Sequence, residues 1–164
     1  MNPTTTPSSP GNPTIATAEV DWFSRRIMNP IVARLTRWGL SVKGTRILAV
    51  RGRTSGETRT AVVNLLHHEG GRYLVAPRGT TQWVRNLRVA GTGTLRVGRR
   101  VTEFAAVELD DDTDVDEKVT VLRAYLERWG WEVGKFFGDL RADSPDEDLI
   151  AALPRFPAFR LTDR

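Results

Sequence analysis

Two short segments of this sequence gather the groups that hold an anion. In the first, Arg51-Gly52-Arg53-Thr54-Ser55-Gly56-Glu57-Thr58-Arg59, two glycines allow a tight turn with exposed N–H groups. The hydroxyls of Thr54 and Ser55 add donors, and Arg53 and Arg59 add charge. Those are the donors a phosphate needs. A plain basic hairpin turn has the same composition, and these residues alone leave the two readings level. The second segment is Ala76-Pro77-Arg78-Gly79-Thr80-Thr81-Gln82-Trp83-Val84-Arg85-Asn86-Leu87. Here a strand end runs through Arg78 and Gly79 into a helix N-terminus, whose free N–H groups and dipole favour negative charge. Trp83, one turn in, offers a broad apolar face, and Asn86 follows three residues on along the same side. An ordinary core position also suits Trp83.

Other chemistries lack their residues. Cysteine is absent, which excludes disulfides, thiolate nucleophiles and cysteine-held zinc or iron–sulfur sites. There is no G-x-S-x-G elbow, no P-loop lysine and no H-E-x-x-H pair. Asp110, Asp112 and Asp114 have the alternate spacing of a calcium loop, but Val115 and Val121 stand where its glycine and bidentate glutamate belong. These carboxylates read better as residues opening a helix, where the dipole and capping favour them. His67 and His68 are neighbours in a strand-like run, so they point to opposite faces and do not share a metal. No metal site is expected.

With 164 residues, 40% hydrophobic and 27% charged, the chain fits one soluble domain with a substantial core. Residues 1–17 read as a disordered tail, since 1–14 are rich in Pro, Thr, Ser and Asn, and residues 18–164 as a single domain. No apolar run approaches the roughly 18 residues that a membrane span needs. Arg25-Arg26 does not open an export signal, because Arg34 and Arg37 interrupt the apolar stretch that would follow. A cytoplasmic protein is expected. The formal net charge of +4 conceals an asymmetry: residues 1–105 hold 16 basic and 5 acidic residues, and residues 106–164 hold 8 and 15. The two parts therefore carry +11 and −7. Arginine outnumbers lysine 21 to 3, and its planar fork suits phosphate and carboxylate.

The elements that must position the two segments follow from periodicity. Phe23, Ile27, Ile31 and Leu35 recur every four residues along an N-terminal helix or helix pair from Val20 to Trp38, broken at Asn29-Pro30. Its Arg25, Arg26, Arg34 and Arg37 make either a solvated face or a peripheral contact with anionic lipid of the inner membrane. Strands are predicted at 46–51, 59–66, 72–76, 94–97 and 101–109, with hairpin turns at Glu69-Gly70-Gly71 and Gly98-Arg99-Arg100. Thr80 to Val89 reads as a short helix with a threonine N-cap, ended by Gly91-Thr92-Gly93. Val115, Val119, Leu122, Leu126 and Trp129 share one face of a later helix, a further helical stretch runs through Phe136-Phe137, and Asp146 to Leu153 forms a last turn or two. The run Phe156 to Leu161 is expected as an edge strand, where proline is tolerated. The sum is an α+β fold: about six mostly antiparallel strands curled into a small barrel, with helices at both ends of the chain.

Together the two segments resemble the deazaflavin-dependent nitroreductase family of actinobacteria. The likeness rests on Gly52-Arg53-Thr54-Ser55-Gly56 followed by Arg59, then Val75-Ala76-Pro77-Arg78-Gly79, then Trp83 with Asn86-Leu87, and it covers residues 45–100 best. The resemblance implies a split β-barrel of the kind that also binds flavin mononucleotide, here binding the reduced deazaflavin coenzyme F420. It implies hydride transfer to an electron-poor acceptor such as a quinone, an enone or a nitro compound. Carried over residue by residue, Arg53, Thr54, Ser55, Gly56, Arg59 and Arg78 would grip the phosphate and acidic tail, with Ala76, Pro77 and Gly79 beside them. Thr60, Ala61, Val62, Val63 and Asn64 would line the ring, and the helix from Trp83 to Asn86 would close the site. Tyr125 and Trp131 are the candidates for substrate contact. Members of the family often have proline where this chain has Val62, and many have a longer loop between the positions of Gly79 and Trp83.

On this reading no side chain serves as nucleophile, and the coenzyme carries the chemistry. The partner is a small-molecule acceptor, the protein a monomer or homodimer, and no nucleic acid is expected. The alternatives are a flavin mononucleotide protein of the same fold and a module binding nucleic acid or anionic membrane through the basic part.

Overall fold

A computed structural model describes residues 44–164. The expected tail over 1–17 and the N-terminal helix from Val20 to Trp38, with its lipid contact, lie outside the described residues. Six strands follow one another with short connections: β1 (Thr45–Arg51), β2 (Thr58–His68), β3 (Gly71–Val75), β4 (Thr92–Val97), β5 (Arg100–Glu108) and β6 (Ala158–Asp163). Helix α1 (Gln82–Ala90) joins β3 to β4, and α2 (Val115–Val133) and α3 (Asp146–Ala152) lie between β5 and β6. Short 3-10 turns at Gly134–Phe136 and Leu153–Arg155 extend α2 and α3.

The strands close into an antiparallel barrel in the order β1-β2-β3-β6-β5-β4. Closure corrects one expectation. β6 is no edge strand: Tyr73 pairs with Arg160 on one side, and Val107 pairs with Arg160 on the other. Pro157 precedes the strand, so its missing N–H interrupts neither ladder, and its carbonyl accepts the Ala76 N–H at 2.8 Å. β4 also starts earlier than the β-branched run suggested. Gly91, with φ of 64°, ends α1 as a left-handed cap donating to the Leu87 carbonyl, and Thr92 and Gly93 already belong to the strand.

Two cores result from the alternation of side chains along each strand. Leu48 and Val50, Val63 and Leu65, Leu74, Leu95, Phe104, and Phe159 and Leu161 fill the barrel, and Val84 and Leu87 of α1 plug one end. The residues between them turn outward: Leu66, Tyr73, Val75 and Ala158 meet Val119, Leu122, Leu126 and Trp129 of α2. The predicted apolar face of α2 is thus buried, apart from Val115 at its rim. The carboxylates ahead of α2 act differently from the expectation. Asp114 stands at the N-cap without a side-chain cap bond, while Asp110 accepts the N–H groups of Asp112 and Thr113 at 2.9 and 3.0 Å and so builds the turn. Lys118 is buried, and Asp111 and the Leu109 carbonyl satisfy its ammonium.

Charge pairs tie the acidic helices to the barrel. Glu117 accepts the Tyr73 hydroxyl at 2.9 Å and Arg160 Nε at 2.7 Å, so α2 is bonded to both β3 and β6. The Arg160 guanidinium beside it, joined by the Tyr73 hydroxyl bond, holds the Glu117 carboxyl below its ordinary value against the opposing effect of burial. This network therefore stabilises the fold above the unfolded carboxylate value of about 4.3, and the contribution disappears as pH falls through the lower folded value. Both side chains remain about a third exposed, at 30% and 40%, so screening limits the effect. Glu117→Gln is expected to lower stability in urea by about 1 kcal/mol at pH 7. The gap from the unsubstituted protein should narrow as pH falls below about 4.3 and close once the folded carboxyl is itself protonated, when both carry a neutral group.

Candidate functional site

At the end of the barrel plugged by α1, β1 and β2 are joined by a tight turn. The Gly52 N–H donates to the Glu57 carbonyl at 2.8 Å, and the Gly56 N–H to the Gly52 carbonyl at 2.9 Å. Gly52 is buried, whereas Arg53, Thr54, Ser55, Gly56 and Arg59 are exposed around it. A Cβ on Gly52 would stand 3.0 Å from the Glu57 carbonyl oxygen and 3.3 Å from both Arg59 Cγ and Ser55 Oγ. Only glycine lets the turn close this tightly around its donors.

Helix α1 holds the turn in place. Asn86, 5% exposed, accepts the Arg53 backbone N–H at 3.3 Å and the Arg53 guanidinium at 3.0 Å through the same amide oxygen. Gln82 Oε1 accepts Arg53 Nη1 at 2.9 Å. Gln82 and Asn86 are one helical turn apart, so their amides project to the same side. Arg53 is therefore a strut between turn and helix as well as a source of charge. Arg59 Nη2 donates to Glu57 Oε2 at 2.9 Å and to Ser55 Oγ at 3.5 Å.

The second segment reaches the same helix through a chain of backbone bonds. The Gly79 N–H donates to the Ala76 carbonyl at 3.0 Å and the Thr81 N–H to the Gly79 carbonyl at 2.8 Å. Thr81 is the N-cap residue, as a threonine was expected to be, but its hydroxyl makes no cap bond and lies buried without a hydrogen-bond partner. Pro77 is part-buried, and Arg78 is exposed with its guanidinium 5.8 Å from the centre of the Phe136 ring. Trp83 is part-buried against the barrel, its ring 5.8 Å from that of Phe159 and tilted by 52°.

β2 divides the five residues assigned to a ring. A strand cannot present consecutive side chains to one face. Val63 joins the barrel core, and Ala61 shares its inward phase opposite Leu48. Thr60 and Val62 lie on the outer face, part-buried, beside their cross-strand partners Ala49 and Ile47, and Thr94 of β4 continues the row from Ala49. Asn64 also points outward, yet it is buried: its oxygen accepts the Thr45 hydroxyl at 3.3 Å and its amide bonds the Tyr125 hydroxyl.

The two aromatic candidates on α2 do not come together. Tyr125 is 1% exposed, its ring tilted against those of Trp129 and Phe137 in the outer core, and burial pushes its hydroxyl pKa up. It falls three residues after Leu122 and four before Trp129, which is the spacing of the buried face. Trp131, two residues past Trp129, is carried to the other side of the helix and is 72% exposed. Among the described residues no group of His, Asp or Glu is placed to hold a metal.

Sequence reasoning missed Gln82, Glu57 and Phe159. Gln82 was legible as the residue one turn before Asn86, and Glu57 as the lone carboxylate in a basic segment, whereas the meeting of Phe159 with Trp83 depends on barrel closure. Removing the Asn86 acceptor strands the Arg53 N–H and frees the turn. Asn86→Leu should cost about 1–3 kcal/mol of stability and speed amide exchange over residues 53–57. The solvated Gln82→Ala should do neither to the same degree.

Residues 18–126 match the family model described as F420H(2)-dependent quinone reductase. No curated protein matches the chain. Among solved structures, an F420-H2 dependent reductase, FDR-A, is 17% identical, covering 73% of this chain and 95% of its own, with a TM-score of 0.49. The haem storage protein HutZ from Vibrio cholerae is 13% identical over 83% and 89% of the two chains, with a TM-score of 0.49. The conserved hypothetical protein Rv2991 from Mycobacterium tuberculosis is 16% identical over 80% and 79%, with a TM-score of 0.46. These likenesses are too distant to bear on function, which rests on the family match. The flavin mononucleotide and nucleic-acid readings gain nothing from that match. The resemblance drawn from the Gly52–Gly56 turn, the Arg78 segment and Trp83 with Asn86 is borne out: this chain belongs to the F420H2-dependent quinone reductase family of split-barrel oxidoreductases, whose coenzyme is reduced F420.

Proposed function

We propose that the protein reduces a quinone, taking its electrons from reduced F420 held along the outer face of β2 with the acidic tail at the α1 end. The observation that carries this reading is the bonding of Arg53 to Gln82 and Asn86, which joins two donor segments far apart in sequence into one basic rim. The residues present fit the coenzyme's anionic part. Arg53, Arg59, Thr54 and Ser55 supply charged and neutral donors, the closed turn at Gly52 fixes their spacing, and Thr81 keeps a buried hydroxyl without a partner at the head of α1. Arg78 and Gly79 lead into the same helix, with the Arg78 guanidinium 5.8 Å from the centre of the Phe136 ring, and are assigned to the tail by their place in the segment.

When bound, reduced F420 supplies a hydride, and with one proton a quinone becomes a hydroquinone. This chain's own residues do the rest. Thr60 and Val62, with Ile47 and Ala49, offer a part-buried surface on which a planar ring excludes water, which favours a transfer between apolar partners. The arginines fix the tail and hence the ring's position along the strand. Trp83 and Asn86 close the rim from α1, and Ala61, Val63, Asn64 and Tyr125 support the site from within the two cores. A quinone suits this surface because it is flat, conjugated and largely apolar.

F420 titrated into the protein should quench tryptophan emission saturably, and menadione should reoxidise reduced F420 only in the presence of protein. Arg59→Ala should raise the dissociation constant about tenfold, as expected for a lost charge-assisted bond. Absence of saturable quenching, or an unchanged affinity in Arg59→Ala, would sink the assignment.

A further inference from the structure

Within the basic segment 51–59 there is a single carboxylate, Glu57, and it lies on Arg59. Its placement is built in. The Glu57 carbonyl accepts the Gly52 N–H at 2.8 Å and its own N–H donates to Ser55 Oγ at 3.3 Å, so its side chain starts from a fixed backbone. Ser55 Oγ also accepts Arg59 Nη2 at 3.5 Å, which places one carboxylate oxygen and one hydroxyl on the same guanidinium nitrogen. Carboxylate and guanidinium are 69% and 60% exposed, so the pair is open to exchange in water rather than sealed.

We propose that Glu57 is a specificity-determining residue: it occupies Arg59 as an internal counter-ion, and a carboxylate of the coenzyme's acidic tail takes its place. This rests on the F420 reading above. A tail already anchored through its phosphate presents its carboxylates at high local concentration and can displace a weak surface partner. A deazaflavin without the tail has nothing to put on Arg59 and leaves the pair intact. The carboxylate that competes for Arg59 thus lowers the affinity for tailed coenzyme and leaves affinity for the bare chromophore untouched. Glu57 therefore sets how strongly the site prefers tailed over tail-less ligand, by holding that preference below what Arg59 alone would give.

The test compares F420 with its tail-less 8-hydroxy-5-deazaflavin chromophore by tryptophan quenching in four proteins: the unsubstituted chain, Glu57→Gln, Arg59→Ala and the double variant. Glu57→Gln should bind F420 about two- to fivefold more tightly, the range of an exposed ion pair, and bind the chromophore as before. In the Arg59→Ala background the gain should vanish. An unchanged or weaker affinity for F420 in Glu57→Gln overturns the proposal, as does an equal gain for the chromophore. A gain that persists without Arg59 also overturns it, since the carboxylate would then act only through its general field. If the unsubstituted protein binds neither ligand, the F420 reading fails and takes this inference with it; if it binds F420 and Glu57→Gln matches it, the inference alone fails.

Discussion

Six strands closed on themselves have an inside and an outside, and every side chain along them belongs to one or the other. Leu65 fills the barrel while Leu66, its neighbour, meets α2; Leu74 and Val75 divide in the same way, as do Ala158 and Phe159. The two cores are therefore not independent. A shift of one residue in any ladder would exchange their contents and push polar groups such as Asn64 into the barrel. The helices inherit their places from this division. α1, with Val84 and Leu87 on one side, can bury them only in the barrel's open end, while α2 and α3 cover the outward apolar residues of β2, β3 and β6.

The position of α1 in turn fixes where charge collects. Because it plugs the end at which β1 passes into β2, its Gln82 and Asn86 reach the Gly52 turn, and Arg53 is drawn onto them. Elsewhere the acidic part of the chain neutralises the barrel's arginines. Glu108 receives Arg88 through two bonds of 2.6 and 2.7 Å, Asp163 pairs with Arg72, and Glu117 with Arg160. Arg88 and Arg72 belong to the basic part and their partners to the acidic part, so the charge asymmetry read along the sequence becomes a set of contacts between layers. Within the 51–59 segment a single carboxylate, Glu57, stands against three arginines, Arg51, Arg53 and Arg59, which is why positive charge is concentrated there.

Much of this was legible. Strand positions followed from β-branched runs and Gly-containing turns, α1 and α2 from their apolar spacing, and the two donor segments from residue type alone. What periodicity does not carry is which strands become neighbours. Phe156 to Leu161 looked like an edge because proline stood within it, and only pairing with both β3 and β5 shows otherwise. Thr60 to Asn64 were assigned to the ring as a run, and the strand divides them: a motif reports residues that lie near a ligand, whereas a strand turns only alternate side chains to one face. Tyr125 was an aromatic residue in the right region of the chain, but its spacing from Leu122 and Trp129 already assigned it to the buried face of α2.

β6 also sets the order in which the molecule can be made. Tyr73 and Arg160 are paired across nearly ninety positions of sequence, and Val107 and Arg160 across about fifty. Before β6 emerges, β3 and β5 each carry an unpaired margin, and the barrel interior lacks Phe159 and Leu161. The β1-β2-β3 and β4-β5 hairpins can assemble from local contacts, but joining them through β6 must await the far end of the chain and a large loss of loop entropy. A nascent chain of this protein therefore exposes two unpaired sheet margins from the emergence of β5 until that of β6, and β6 both closes the barrel and covers the edges on which chains would aggregate.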